Sequence, residues 1–332
     1  MTNEDPRAAL MLDWLSNDLS LAIDRFEPAS SDASFRRYFR IYSQGTTYIV
    51  MDAPPDKENI EAFIKVAKLL SAPGTLHVPT IFQSNLVHGF LLLEDFGKTC
   101  YLDCLKPSNA DRLYQYALDS LFQQQTLIAL DNLEIPHYDR PLLIRELGIF
   151  EEWFTSHFLD IPTPEPLRTE VNELLITTAL EQPLTFVHRD YHSRNLMVLG
   201  NDKPGIIDFQ DAVIGPVTYD VVSLLKDCYI SWPKAQIDHW RNGYFQRLLQ
   251  HGIIDCSQAQ FKRWFDLMGL QRHLKAIGIF ARLHLRDGKS TYLNDIPRTL
   301  NYVTETSANY PELSEFADFL NRQVLPAFRS KT

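Results

Sequence analysis

Apolar residues are spaced in two ways along this chain of 332 residues. In roughly the first ninety they fall in short runs. From about residue 109 onward they mostly recur every three or four positions. The first pattern predicts strands and the second helices. Leu10, Met11, Trp14 and Leu15 after Pro6 predict an opening amphipathic helix that ends near residues 17–20. Strand-like runs follow at 22–28, 35–42 and 46–53. Gln44-Gly45 between the last two signals a hairpin, and Pro54-Pro55 stops the third strand. Ile60, Phe63, Ile64, Ala67 and Leu70 share one face of a helix over 57–70. Two more strands are expected at 78–86 and 89–93, the second a continuous apolar run that suits a central strand. Helices are then expected at about 109–129, 142–158, 165–179, 216–229, 234–251, 261–285, 296–306 and 313–328.

Strands first and helices later imply an α+β protein, divided at residue 94 into a β-rich part (1–94) and a helical part (95–332). No internal repeat and no low-complexity segment interrupts this. Hydrophobic content of 45% with 22% charged residues is ordinary for a globular chain. The net charge of −10 argues against a nucleic-acid partner. No apolar run approaches the ~20 residues of a membrane span. The acidic, polar start does not suit a signal peptide, and the four cysteines form no zinc pattern. A soluble, cytoplasmic protein with no obligate protein partner is expected.

The stretch 186–211 departs from both patterns. It reads FVHRDYHSRNLMVLGNDKPGIIDFQD. Asp190 follows a short apolar strand, where it can orient a substrate hydroxyl or accept its proton. Asn195, five residues on, offers an amide oxygen suited to Mg²⁺. A strand at 196–199, a turn at 201–205 and a return strand at 206–207 would bring Asp208 back beside Asn195, to bridge metal and phosphates. A lone His-Arg-Asp arises often by chance. That triplet with the later Asn, the hairpin and Asp-Phe arises far less often. His188 is expected to hold the loop.

His188, Asp190, Asn195 and the run from Ile207 to Ala212 resemble the aminoglycoside phosphotransferase and choline kinase group. The resemblance implies a protein-kinase-like two-lobe fold, with a small β-rich N-lobe carrying one or two helices and a larger, mostly α C-lobe. Gln210-Asp211 stands where protein kinases have glycine, and no activation segment follows, so the implied acceptor is a small molecule. Asp220 in Tyr219-Asp220-Val221 is expected to bond the catalytic-loop backbone. Asp32 to Arg40, Met51 to Pro55, Leu93 to Gly97, His188 to Met197 and Gly278 to Leu283 are similar to a bacterial subgroup. That subgroup contains the anomeric kinases of N-acetylmuramic acid and N-acetylglucosamine in cell-wall recycling.

The resemblance assigns ATP to the N-terminal part. Small residues at 29–34, with Ser31 and Ser34 as hydroxyl donors, occupy the place of a glycine-rich lid. The third strand has Val50 or Met51 where kinases place a phosphate-binding lysine. Strand alternation puts Arg37 on an apolar face with Phe35, Phe39 and Ile41, so Arg37 is a candidate for the phosphates; a solvated Arg at the strand edge is the alternative. Glu58 or Glu61 would hold the basic group. Glu94, Asp95 and Phe96 would form the adenine-binding hinge. For the acceptor, Arg194 is a catalytic candidate, with a salt bridge inside the loop as the alternative. His192, Asp211 and Glu152 are substrate candidates, Glu152 because its helix lines the pocket in related folds. Arg272, His273 and Arg282 are further candidates for a lactyl carboxylate.

The expected activity is Mg²⁺- and ATP-dependent phosphorylation of a small molecule, with an amino sugar at its anomeric hydroxyl as the first choice. Aminoglycoside, choline or homoserine-like acceptors are the second. An inactive nucleotide-binding scaffold is the third, motivated by the missing lysine.

Overall fold

The computed structural model describes residues 5–30, 35–131, 133–200 and 202–331. These form two compact units. One comprises Met1–Cys104 and Leu196–Asp211, the other Leu105–Asn195 and Ala212–Thr332. The hairpin expected within the helical part thus belongs to the first unit. Residues 95–104 belong there too.

In the first unit, helix α1 (Pro6–Asp13) starts on Asp5, whose carboxylate accepts from the Arg7 and Ala8 amides at 3.1 and 3.2 Å. Strands β1 (Arg25–Ser30), β2 (Arg37–Ser43) and β3 (Thr46–Asp52) follow, then α2 (Ile60–Ser71), β4 (Ile81–Asn85), β5 (Phe90–Glu94) and the short α3 (Tyr101–Cys104). The five strands form one antiparallel sheet in the order β1-β2-β3-β5-β4. Its expected hairpin is present: Gln44 and Gly45 both have positive φ, 50° and 79°, between the paired Ser43 and Thr46. A two-residue loop matches the strand twist in this conformation, and Gly takes it without Cβ strain. β5 is interior, as its unbroken apolar run requires. Met11, Trp14 and Leu15 pack on Ile41, Val50 and Phe90 to form this unit's core.

Two expectations shift here. Helix α2 begins three residues late, because Asn59 caps it by accepting from the Glu61 amide at 2.9 Å. The strand expected over 78–86 is shorter, with Ile81 to Asn85 paired to β5.

The second unit is mostly helical: α4 (Ala110–Leu127), α5 (Arg140–Ile149) and α6 (Glu165–Leu180) precede β6 (Leu184–Val187). The chain leaves this unit at Asn195 for the hairpin β7 (Leu196–Val198) and β8 (Pro204–Ile206). It re-enters at Ala212 with β9 (Val213–Pro216), which pairs antiparallel with β6. That pairing was not anticipated. It takes Pro216 from the helix expected at 216, so α7 (Tyr219–Leu225) is shorter. Helices α8 (Lys234–Gln250), α9 (Gln258–Leu285) and α10 (Ile296–Ala308) follow. The helix expected at 313–328 runs from Ser314 to Lys331, with a wider π turn at Leu320–Val324.

α9 is the axis of this unit. It buries residues on every side over 28 positions, as a core helix does. At Gly278 an added Cβ would lie 2.5 Å from the Ile149 carbonyl oxygen. Only hydrogen lets the two backbones approach this closely. Gly278→Ala should therefore destabilise the fold by about 1–3 kcal/mol, seen as a lower urea midpoint. An unchanged midpoint would contradict the close packing.

Candidate active site

The catalytic loop follows β6 in the helical unit, and two buried aspartates hold it by its backbone. Asp220, in the first turn of α7, accepts from the His188 amide at 2.6 Å and the Arg189 amide at 3.0 Å. This is the role expected of it. Arg189 has φ +75°, a left-handed conformation that these bonds help to maintain. Asp227 accepts from the Ser193 amide at 3.0 Å and hydroxyl at 2.5 Å, and from the Tyr229 amide at 2.8 Å. Tyr191 donates its hydroxyl to the Ala117 carbonyl at 2.8 Å. His188 Nδ1 accepts from the Asp190 amide at 3.3 Å, a structural role as expected. The Asn195 side-chain amide donates to the Asp190 carbonyl at 3.0 Å, so Asp190 and Asn195 are tied together within the loop.

Asp190 opens onto a cleft of about 110 Å³, with His192, Tyr219, Tyr229, Arg272 and Lys275 among its walls. Burial opposes the charge on Asp190. Lys275 first, then His192, Arg189 and Arg272, outweigh burial and hold its carboxyl at about 2. It is ionised at neutral pH. Behind the cleft lies Glu146, 2% exposed. It accepts from the Tyr138 hydroxyl at 2.5 Å and the Gln271 amide at 3.1 Å, and pairs with Lys275 at 3.0 Å and with Arg189. Burial opposes its charge as well, yet Lys275 and Arg189 hold it at about 2. Sequence reasoning missed Lys275. Its one signal was a lysine set within the otherwise apolar run from Leu274 to Ala281.

The other candidates in this unit separate. His192 is buried on the cleft wall, edge-on to Tyr229, and burial lowers its pKa. Arg194 is exposed and stacks its guanidinium 3.7 Å from the centre of the Tyr229 ring. The expected alternative, a salt bridge within the loop, is absent among the described residues. Glu152 is exposed on the wide helical turn after α5 and is not part of the cleft wall. The apolar side of that turn faces inward, and Glu152 lies on its outer side. His273 Nε2–H donates to the Lys226 carbonyl at 2.8 Å, and the ring stacks on Tyr302. It too is not part of the cleft wall, and neither is Arg282.

The first unit holds the remaining candidates. Asp208 has φ +63°. Phe209 is fully buried against Phe63 of α2, with ring centres 4.8 Å apart. The Gln210 amide nitrogen donates to Asp208 at 2.9 Å and to Asp211 at 3.3 Å, so one side chain steadies both carboxylates. The cation beside them is Arg36, not Arg37. Burial opposes the charge on Arg36, but Tyr38, Asp208, Glu58 and Asp211 raise its pKa above the ordinary value, and Glu58 lies 3.7 Å away. Glu58 thus holds a basic group as expected, but a different one.

Arg37 is committed to other carboxylates, a correction to the expected phosphate contact. It donates to Asp52 at 2.9 and 2.5 Å and also pairs with Asp5. Asp52 faces Arg37 directly across the β2–β3 ladder and is fully buried. An arginine on an apolar face is explained by that buried carboxylate.

At the expected hinge, Asp95 pairs with Arg40 through two bonds of 2.6 and 2.9 Å, and Arg40 also donates to the Gly97 carbonyl at 2.7 Å. This fixes the backbone of residues 95–97. The Glu94 carboxylate accepts from Thr80, and the Phe96 ring lies against Gly205, where a Cβ would come within 2.5 Å. Both side chains thus have structural contacts. Ser31 and Ser34 lie outside the described residues.

A sequence model of a phosphotransferase enzyme family matches residues 25–259. The chain is 48% identical over 297 residues to an N-acetylmuramate/N-acetylglucosamine kinase of Pseudomonas aeruginosa, covering 88% of this chain and 87% of that one. It is 42% identical over 334 residues to a protein of the same name from Pseudomonas putida, covering 96% and 97%. Among solved structures, the choline kinase LicA of Streptococcus pneumoniae matches with a TM-score of 0.66 at 12% identity, over 91% of this chain and 99% of that one. That likeness is one of fold, and the fold is the expected protein-kinase-like one.

The charge cluster makes a prediction about acid. Asp190 and Glu146 titrate lower in the folded chain than their ordinary 3.8 and 4.5. The folded state then binds fewer protons than the unfolded one. Their stabilisation is present above the ordinary values and drains as pH falls towards about 2. Lys275→Met removes a cation that lowers both. Between pH 7 and pH 4 the variant should lose less stability than the native protein, measured as the shift in urea midpoint. An equal shift would contradict the assignment.

Proposed function

We propose that this chain, which belongs to the phosphotransferase enzyme family, is an ATP-dependent sugar kinase. It moves the γ-phosphoryl group to the anomeric C1 hydroxyl of N-acetylmuramate or N-acetylglucosamine, in the recycling of peptidoglycan sugars. The observation that carries this reading is the likeness to kinases of that name over nearly the whole chain, at 48% and 42% identity.

The site supports it. Asp190, ionised on the cleft wall, orients the sugar hydroxyl and takes up its proton as the new bond forms. Tyr229, half-buried on the cleft wall, offers its hydroxyl to a sugar. Asn195 in the helical unit and Asp208 in the first unit are the proposed Mg²⁺ ligands, each offering the hard oxygen donor that such a cation takes. The carboxylates of Asp208 and Asp211, steadied together by Gln210, suit that charge. Bound there, the metal would neutralise phosphate charge. Arg36, braced by Glu58, supplies the positive charge on the nucleotide side that a strand lysine gives in other kinases. Glu94 to Phe96 offer backbone groups to adenine. ATP as co-substrate and four free thiols suit a cytoplasmic setting.

ADP release should be stimulated by N-acetylmuramate and N-acetylglucosamine, and not by kanamycin or choline. Stimulation by kanamycin or choline alone would overturn the substrate assignment. Asp190→Asn should lower kcat by roughly 100- to 10,000-fold with the fold intact by circular dichroism. Asp208→Ala should abolish the metal-dependent rate, and excess chelator should do the same to the native protein. Undiminished turnover in chelator would remove the metal from the reaction.

A further inference from the structure

Arg272 is the one arginine on the wall of the Asp190 cleft, and it has no ion-pair partner among the described residues, although it faces the charge of Asp190. It is 6% exposed. Its hydrogen-bond acceptor among the described residues is the Cys228 sulfur at 3.6 Å, a poor partner for a guanidinium. Its Nε has none. No carboxylate lies within ion-pair distance among the described residues. A buried guanidinium with idle donors is costly unless something anionic completes it. The neighbouring cations differ. Lys275 is paired with Glu146 at 3.0 Å, and Arg189 is paired with the same carboxylate. Asp227, next to Cys228 in the chain, spends its oxygens on Ser193 and Tyr229, and Asp266, six residues before Arg272, is paired with Lys226 and Lys262.

The cleft therefore combines an ionised Asp190, an apolar stretch of α9 at Ala276, Ile279 and Phe280, and an arginine short of a partner. The two proposed sugars differ by one substituent: N-acetylmuramate carries a lactyl ether, a methyl group with a carboxylate, where N-acetylglucosamine has a hydroxyl. We infer that Arg272 receives that carboxylate and so sets the preference of the enzyme between the acidic and the neutral sugar. The inference rests on the sugar-kinase reading. The planar fork of Arg pairs with a carboxylate in two-bond geometry, and Ala276 and Ile279 suit the lactyl methyl. Of the lactyl-carboxylate candidates, Arg272 alone is on the cleft wall; His273 and Arg282 are not.

The test compares the two sugars. Arg272→Gln should lower kcat/KM for N-acetylmuramate more than for N-acetylglucosamine, by roughly 10- to 100-fold, chiefly through KM. Arg272→Lys should recover part of the difference. Equal losses on both sugars would overturn the inference and assign Arg272 to the transferred phosphoryl group or to the fold. A measurement on the native protein needs no variant. By calorimetry it should bind N-acetylmuramate at least ~10-fold more tightly than the uncharged carboxamide of the same sugar. Equal affinities would overturn the inference too. Turnover of neither sugar by the native protein would overturn the sugar-kinase reading itself, which sets that failure apart.

Discussion

One buried carboxylate, Glu146, anchors the walls of the Asp190 cleft. Hydrogen bonds and ion pairs from Tyr138, Arg189, Gln271 and Lys275 converge on it. These groups come from the segment before α5, the catalytic loop and α9, so a single side chain locks three stretches of the helical unit. The arrangement is stable only as a set. A buried carboxylate without its cations, or buried cations without it, would carry a desolvation cost with no return. Polar clusters of this kind define one geometry because every partial version is worse.

The loop itself is held through its backbone, by Asp220 at one end and Asp227 at the other. Backbone amides are fixed in number and direction, so a carboxylate that takes two of them determines the path of the chain. This lets Arg189 adopt a left-handed conformation while still reaching Glu146. The first unit steadies its chemical residues through side chains instead. Asp208 also has positive φ, and its carboxylate is steadied by Gln210, while the adjoining Phe209 is buried against α2. The departure Gln210 makes from the glycine of protein kinases is thus not neutral: a side-chain amide here ties two carboxylates together.

What the sequence made legible was local. The Asp190, Asn195 and Asp208 spacing, the Gln44-Gly45 hairpin and the interior position of β5 all follow from neighbours along the chain. Asp220 could be assigned because it lies in a short motif. The rest depends on residues that meet across the fold. Gln271 and Glu146 are 125 positions apart, and nothing in the periodicity of α5 or α9 announces their meeting. The choice between Arg36 and Arg37 shows the limit well. Alternation separates the two strand faces correctly but does not say which face carries the buried acid. Asp52, opposite Arg37 on β3, decides it. Likewise the β6–β9 pairing was hidden because the four residues Val213 to Pro216 are too short a run to show strand alternation.

The same cluster bears on how the proposed reaction proceeds. With its carboxyl held at about 2, Asp190 is a poor base, because a general base works best near the ambient pH. Phosphoryl transfer tolerates this, since in most analyses its transition state is loose and bond formation to the acceptor lags behind departure of the leaving group. Early on, an ionised Asp190 needs only to aim the hydroxyl; the proton can leave late, when the hydroxyl oxygen has become acidic. An anomeric hydroxyl eases the demand further, because the ring oxygen on the same carbon withdraws electron density and makes it more acidic than an ordinary alcohol. A strongly depressed carboxylate and an anomeric acceptor therefore suit each other. The cations that depress Asp190 also favour negative charge in the cleft, which is the charge an arriving phosphoryl group and a sugar carboxylate both bring.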